Sequence, residues 1–301
     1  MHDVINRYSL PDAEIDFSKP FFPAHLTALY FTPSWEALSE DQQCRYSQLY
    51  ALYLNEQTAF FEEQLAETVL PALYERPDRI GPELATNLQR FQKEERQHTE
   101  MFRRLSHKVD PDLFSLESQT YHFIRVPRPL LKLMNRVAGN PWLFPCWIWL
   151  ALLQEERSIA ISKVCINDSS LDEHFRHTHL LHLRDEANHV QWDLQMIDTV
   201  WKPLSDLHKK INVAIFNWLM KEFFTSPKRA ALAIVEALCV EYPELNSRKK
   251  SIFEELRSLR HHRDYHMSLY SREHTPRAFA LFDALPEFRG LENTLLGYEP
   301  Q

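Results

Sequence analysis

The sequence is poor in glycine and lacks paired cysteines, and each shortage excludes a class of protein. Only four glycines occur in 301 residues, none in a Gly-x-Gly arrangement, so the phosphate-binding loops of Rossmann and P-loop enzymes are absent. The four cysteines are widely spaced without a Cys-x-x-Cys pair. This pattern predicts free thiols in a reducing compartment rather than a disulfide framework or a zinc site. The cytoplasm is therefore the expected location.

The sequence also lacks a long hydrophobic run and an excess of positive charge. Its most apolar stretch, Trp142 to Leu153, is interrupted by Pro145 and falls short of the roughly 20 apolar residues that a membrane span needs. The first residues lack the apolar segment of a secretory signal. The net charge of −8 disfavours binding to nucleic acid, which depends on Lys and Arg at the phosphates. Neither a membrane nor a nucleic acid is expected as a partner.

Apolar residues recur at helical spacing along most of the chain, which predicts an all-α protein of one domain, residues 1–301. We expect an N-terminal arm at 1–34 and a bundle core at about 36–200. The core helices are predicted at about 36–73, 82–107, 142–166 and 171–200.

The segments that join and follow the core helices are predicted from their polar and proline residues. An irregular connection through Pro129 should precede the third helix, and Asp168, Ser169 or Ser170 should cap the fourth. Beyond the core, additional C-terminal helices are predicted at about 205–224, 228–241 and 246–269. The tail, rich in Phe and Pro, is expected to wrap the surface or to close the site.

The most informative motif is a Glu-x-x-His pair that occurs twice, on separate predicted helices. Glu95 and His98 form the first pair, Glu186 and His189 the second, and His182 lies one turn before the second. Residues three or four apart project from one face of a helix, so each pair can hold one ion. In ferritin-like di-iron and di-manganese proteins, two helices supply such pairs and two supply a single Glu. The sequence therefore predicts a two-metal site inside a four-helix bundle.

Both pairs interrupt stripes of apolar residues that should face the core. Leu88, Phe91, Phe102 and Leu105 share the stripe of the first pair, and Phe175 and Met196 that of the second. A buried carboxylate without a partner is costly, and a metal ion is the usual compensation. Ordinary surface hydrogen bonds are the alternative, but apolar stripes disfavour them.

The other two core helices each offer two adjacent carboxylates. Glu62 shares a stripe with Leu54 and Leu65, whereas Glu63 falls on the same face as Glu56 and Glu67. Periodicity therefore favours Glu62 as the inward residue. It does not decide between Glu155 and Glu156, because both align with apolar neighbours.

One segment resembles a known family. His182-Leu-Arg-Asp185-Glu186-Ala-Asn-His189 resembles the H-x-x-D-E-x-x-H motif of the p-aminobenzoate N-oxygenase family, ferritin-like di-iron enzymes that oxidise amines. The additional His182 distinguishes it from ferritins, ribonucleotide reductase small subunits and desaturases. The resemblance covers about residues 45–200, and its spacing favours Glu155 over Glu156. It implies seven metal ligands: Glu62, Glu95, His98, Glu155, His182, Glu186 and His189.

The same resemblance implies a chemistry and its partners. Two iron ions, or manganese, would bind, with O2 as cosubstrate. An arylamine or an amino-acid-derived amine, free or attached to a carrier protein, would pass through hydroxylamine and nitroso stages towards a nitro product in a biosynthetic pathway. An electron donor such as a reductase or ferredoxin is implied, and a homodimer is one assembly to test. Asp185 is expected either to orient a ligand imidazole or an Arg on a neighbouring helix, or to be solvated.

Three alternatives remain at the level of sequence: a di-iron hydroxylase or desaturase acting on carbon, an iron-oxidising ferritin-like protein, and a metal-free helical module. Six aromatic residues either line a substrate pocket or simply pack: Phe60, Phe61, Phe91, Phe102, Trp149 and Trp192. Six further histidines are expected in loops or at the surface: His107, His122, His174, His177, His261 and His262.

Overall fold

The computed structural model describes residues 8–116, 121–124, 126–225 and 229–301. Within these ranges all regular structure is helical and no strand occurs, so the predicted all-α, ferritin-like class is confirmed. Several sequence predictions reach beyond the described residues: positions 1–7 of the arm, 117–120 and 125 of the irregular connection, and 228 at the start of an accessory helix.

The longer helices are, in chain order, α1 (Glu40–Gln64), α2 (Pro82–Val109), α3 (Arg128–Ala138), α4 (Cys146–Asn167), α5 (Glu173–Met196), α6 (Asp206–Leu219), α7 (Arg229–Glu241), α8 (Lys249–Ser258), α9 (Arg263–Leu269) and α10 (Pro276–Ala284). Wider π-helical turns extend three of these helices. They lie at Leu65–Val69, Ile197–Trp201 and Met220–Phe224.

Helices α1, α2, α4 and α5 form the bundle. α1 packs against α2, α4 against α5, and α2 against α5. The accessory helices cover the outside, with α7 on α1 and with α6 and α10 on α4. None of the described helices combines the length and apolar content that crossing a membrane requires.

Local capping moves two of the predicted helix starts. The first helix begins at Glu40 rather than near 36, because Ser39 and Gln42 exchange side-chain and backbone hydrogen bonds in a capping box. The fourth is capped by Asp172, which accepts a hydrogen bond from the His174 amide at 2.9 Å. The predicted caps at Asp168, Ser169 and Ser170 are therefore wrong. Asp168 instead closes the preceding turn by accepting from the Ser170 amide.

Three other parts of the prediction differ from the structure. The connection before the third core helix contains α3, and the segment predicted at 246–269 breaks into α8 and α9. The C-terminal tail does not simply wrap the surface, because Phe279, Phe282 and Phe288 are buried. Gly297 lets the tail approach α9 closely, since a Cβ at that position would collide with the backbone carbonyl of Tyr270.

Candidate metal centre

The seven carboxylates and imidazoles predicted as ligands come together inside the bundle. α1 contributes Glu62, α2 contributes Glu95 and His98, and α4 contributes Glu155. α5 contributes His182, Glu186 and His189. None of the seven is more than 5% exposed. The structure thus brings all seven side chains into one buried cluster.

The cluster contains two overlapping sets of donor atoms. One set is Glu95, His98, Glu186 and His189, and the other is Glu62, His98 and His182; within each set the donor atoms lie within 4.8 Å of one another. His98 belongs to both sets. Two neighbouring ions could therefore share this part of the bundle.

Glu186 lies between the two sides of the cluster. One of its oxygens, Oε1, is 3.1 Å from His182 Nε2 and 3.5 Å from His189 Nδ1. On one side, Glu62 Oε1 is 3.0 Å from His182 Nε2. On the other, His189 Nδ1 is 3.0 Å from Glu95 Oε1 and 3.5 Å from Glu155 Oε2. Glu186 Oε1 thus lies near histidines on both sides of the cluster.

The adjacent carboxylates on α1 and α4 point elsewhere. Glu63 forms an ion pair with Arg103 at 3.0 Å. Glu156 accepts hydrogen bonds from the backbone amides of Arg277 and Ala278, at 3.0 and 2.8 Å, and so caps the start of α10. The structure thus places Glu62 and Glu155 in the cluster, and periodicity alone could not have separated Glu155 from Glu156.

Each imidazole in the cluster has one nitrogen turned inward and the other against a fixed partner. His98 Nε2 lies 3.4 Å from Asp185 Oδ2, and His189 Nε2 lies 3.3 Å from Glu94 Oε2. His182 Nδ1 is 3.1 Å from Ser158 Oγ. Histidines that bind metals are usually held in this way through their second nitrogen.

The two carboxylate supports follow a shared pattern across the helices. Asp185 directly precedes Glu186 on α5 and contacts His98 of α2, whereas Glu94 directly precedes Glu95 on α2 and contacts a histidine of α5. Asp185 is 1% exposed, which disfavours its solvated alternative. Sequence reasoning missed Glu94, although the acid directly before each Glu-x-x-His pair was a usable signal.

Two further residues at the cluster were missed. Tyr8, from the N-terminal arm, donates a hydrogen bond to Asp185, and the centre of its ring lies 5.4 Å from that of His98 in an edge-to-face arrangement. No periodicity in the arm points to Tyr8.

Asp193 follows His189 by one turn of α5, a spacing that could have identified it. It is fully buried, and its two carboxylate oxygens have no hydrogen-bond partner among the described residues. Burial raises its pKa well above the ordinary range.

Burial and mutual repulsion shift the pKa values of the carboxyl groups in the cluster. Burial, and then the charges of Glu95 and Glu186, raise the pKa of Glu62 well above its ordinary value. Burial likewise raises the pKa of Glu186. Although burial opposes it, contact with His189 and His98 lowers the pKa of Glu95 to about 2.

Several polar atoms of the cluster have no hydrogen-bond partner among the described residues. They are both carboxylate oxygens of Glu95 and Glu186, and Nδ1 of His98 and His189, all of them buried. Such groups are costly inside a protein unless a cation or a donor compensates them. The donor set is therefore suited to metal ions.

The other histidines were predicted to lie in loops or at the surface, and the structure agrees for only some of them. His174 is buried and contacts the Ala13 carbonyl at 3.0 Å, so its prediction as a loop or surface residue is wrong. His107, His122 and His177 are half-buried, and His261 and His262 are exposed.

Phe91 stacks on His189 at 4.1 Å and Trp192 lies beside the same ring. Trp149 packs in a separate aromatic cluster.

A cavity of about 80 Å³ opens beside the cluster, between α1 and α4. Glu62, Glu155, His182 and Glu186 form part of its wall, and Phe61 and Phe102 form part of the apolar remainder. A second cavity of about 200 Å³ shares Gln57, Phe61 and Phe224 with it and includes Phe60 in its wall. A small molecule in the first cavity would touch the cluster directly.

Fold and site together define a ferritin-like helical protein with an internal carboxylate and imidazole cluster. The chain belongs to the AurF family of p-aminobenzoate N-oxygenases, whose family model matches residues 8–266. The match begins at Tyr8 and extends into α9, beyond the segment of about 45–200 in which the resemblance was recognised. The chain is therefore a member of an oxygenase family. No curated protein matches it.

Proposed function

We propose that this chain is a di-iron, O2-dependent oxygenase that oxidises the nitrogen of an amine. The observation that carries the proposal is the pair of donor sets joined at His98, in a member of an N-oxygenase family. The proposed ligands are Glu62, Glu95, His98, Glu155, His182, Glu186 and His189.

Charge and ligand type suit a pair of iron ions, and they also suit manganese. Carboxylates and imidazoles bind both metals, and the four glutamates would balance two divalent cations within an apolar bundle. A bound pair of ions in the reduced state would supply electrons that activate O2, and an external electron donor would restore that state.

The protein itself would hold the cluster in place and prepare the amine. Asp185, Glu94 and Ser158 fix the outer nitrogens of the three histidines, so the inner nitrogens have one orientation. With the glutamates of the wall neutralised by bound metal, the apolar part of the cavity wall, including Phe61 and Phe102, would disfavour the charged ammonium form of an amine. An uncharged amine keeps the lone pair that a nitrogen oxidation requires.

The proposal is tested by metal analysis and product identification. The purified chain, loaded with iron under argon, should hold two ions per chain, and a manganese-loaded sample provides the comparison. With O2, a chemical reductant and a panel of arylamines and amino acids, mass spectrometry should detect hydroxylamine, nitroso or nitro products that carry 18O from 18O2.

Matched variants on α1 connect the activity to the cluster. Glu62→Gln should lose bound metal and product, whereas Glu63→Gln, which alters the neighbouring residue outside the cluster, should retain both. Products hydroxylated or desaturated at carbon with nitrogen unchanged would contradict the proposal in favour of a carbon oxygenase. Accumulation of many irons per chain without amine oxidation would indicate iron storage.

A further inference from the structure

The cavity beside the cluster contains a buried cation that the proposed metal chemistry does not use. Arg157 lies on α4 two residues after Glu155, is only 9% exposed and forms part of the cavity wall. Within the described part of the chain it forms no ion pair with a carboxylate, and its Nε has no hydrogen-bond partner. A buried guanidinium without an anion is costly, which suggests that an anion binds there.

Neighbouring side chains hold Arg157 in place without neutralising it. The guanidinium carbon lies 5.4 Å from the centre of the Tyr270 ring, and Nη1 lies 3.4 Å from Gln154 Oε1. Gln154 in turn donates to the Tyr270 hydroxyl at 2.9 Å. Burial raises the pKa of Tyr50, another neighbour, to about 12, so that phenol remains neutral. The arginine is thus positioned and charged, with donor capacity left over.

We propose that Arg157 binds the carboxylate of the substrate, so that the amine oxidised by this protein is a free amino acid or aminobenzoate rather than a carrier-bound thioester. The identity of the reacting amine rests on the proposed function. A planar guanidinium matches a carboxylate through paired charge-assisted hydrogen bonds, whereas a thioester carries no charged oxygen. Because Arg157, Glu62 and Glu186 border one cavity, a molecule whose carboxylate is bound by Arg157 has its amine held in the cavity that the cluster borders.

The inference can be tested without turnover by comparing the binding of a charged acid with that of the neutral amide of the same shape. The probes are 4-aminobenzoate against 4-aminobenzamide, and alanine against alaninamide, measured by calorimetry on the full chain, iron-loaded under argon and also metal-free. For at least one pair, the wild-type protein should bind the acid about 10–100-fold more tightly than the amide, as expected for hydrogen bonds to a charged group. Arg157→Gln should remove this preference and Arg157→Lys should restore part of it.

Arg184→Gln is the matched control, because Arg184 is an exposed arginine of the neighbouring helix α5; it should retain the wild-type preference. A preference that persists in Arg157→Gln, or is missing from the wild type, would overturn the inference. So would tighter binding of the N-acetylcysteamine thioester than of the acid. Loss of metal by Arg157→Gln with the acid preference intact would show that the arginine only balances the charge of the cluster.

The failure of this inference is distinguishable from failure of the proposed function. The preference for the acid over the amide is measured in the metal-free chain, whereas the di-iron proposal is tested by metal content and product. Circular dichroism of the Arg157→Gln and Arg157→Lys variants checks that the helical fold is retained. If the Arg157→Gln substitution prevents folding, the charge-retaining Arg157→Lys variant, together with the acid and amide comparison on the wild type, still decides the outcome.

Discussion

Two regions of the bundle interior border α4 and are stabilised in opposite ways. Around Trp149, the rings of Trp201, Phe282 and Phe288 lie at 5.4, 5.5 and 4.7 Å, so that region is held mainly by the packing of rings, with a single indole N–H, Trp149 Nε1, left without a partner among the described residues. Around Glu155, several buried carboxylate oxygens and imidazole nitrogens have no hydrogen bond within the described part of the chain. Stability and reactivity therefore occupy separate parts of one core: the aromatic cluster holds the fold, and the polar cluster is suited to metal.

The largest expected effect comes from His98, the residue shared by both donor sets. His98→Ala should abolish binding of both ions and reduce turnover more than about 100-fold, since even loss of an outer partner of a metal ligand typically costs 10–100-fold. His182→Ala, which removes a donor from only one set, should retain one ion. Metal content and steady-state turnover provide the measurements.

A control for these variants is His177→Ala, because His177 is half-buried on the same helix as His182 but outside the cluster. It should bind two ions. If His98→Ala still bound two ions, the two donor sets would not be the metal site, and the comparison between the regions would fail.

The second prediction concerns the aromatic cluster. Phe288→Ala should lower the free energy of unfolding by about 3–5 kcal/mol, the usual cost of removing a buried aromatic ring. Metal content per folded chain should remain at two. Urea unfolding and metal analysis of the same sample test both statements, and a loss of metal from folded Phe288→Ala would show that the two regions are not independent.

The third prediction concerns Asp185, the carboxylate that contacts the outer nitrogen of His98. Asp185→Asn should reduce metal affinity about 10–100-fold, because His98 loses the carboxylate that orients it. Competition with a chelator measures this affinity. Asp198→Asn serves as the control, since Asp198 is exposed on the turn that extends α5; an equal loss in that variant would exclude an effect specific to the cluster.

The smallest effect is a difference in pH dependence between Glu62→Gln and the wild type. Burial, followed by the nearby carboxylates, raises the pKa of Glu62 in the folded chain above its ordinary value of 4.5. In the metal-free protein its stabilising contribution is present below that value and is lost as the pH rises towards the raised pKa. Glutamine cannot ionise, so the metal-free variant should gain stability relative to the wild type as the pH rises above 4.5.

Urea unfolding of chelator-treated protein checks the sign. Glu63→Gln should follow the wild type over the same range. With iron bound, the order should reverse, because the ion requires the carboxylate of Glu62. A metal-free Glu62→Gln protein that loses stability relative to the wild type as pH rises would contradict the burial argument.

Much of this site could be predicted because its signals are local. The spacing of Glu95 with His98, and of Glu186 with His189, follows from the geometry of one helix turn. The choice of Glu62 over Glu63 followed from the face of a single helix. Glu94 was predictable in principle by its position before Glu95, and Asp193 by its spacing from His189.

Other features depended on contacts between distant segments. Glu156 is occupied by the start of α10, more than a hundred residues away, and helical periodicity contains no information about that contact. Tyr8 reaches Asp185 from an arm without a repeating pattern. The burial of His174 depends on Ala13. For the same reason, neighbouring residues in the sequence could not predict that Arg157 forms no ion pair within the described part of the chain.

The sequence by itself determined the helical class, the Glu-x-x-His pairs and the membership of an oxygenase family that those pairs indicated, because each rests on spacing within one helix or on a short motif. Only the tertiary structure placed Glu155 rather than Glu156 in the cluster, showed which acids hold the histidines, and showed that the buried Arg157 has no ion pair with a carboxylate among the described residues. Those outcomes depend on distances between segments far apart in the chain, and only packing sets such distances.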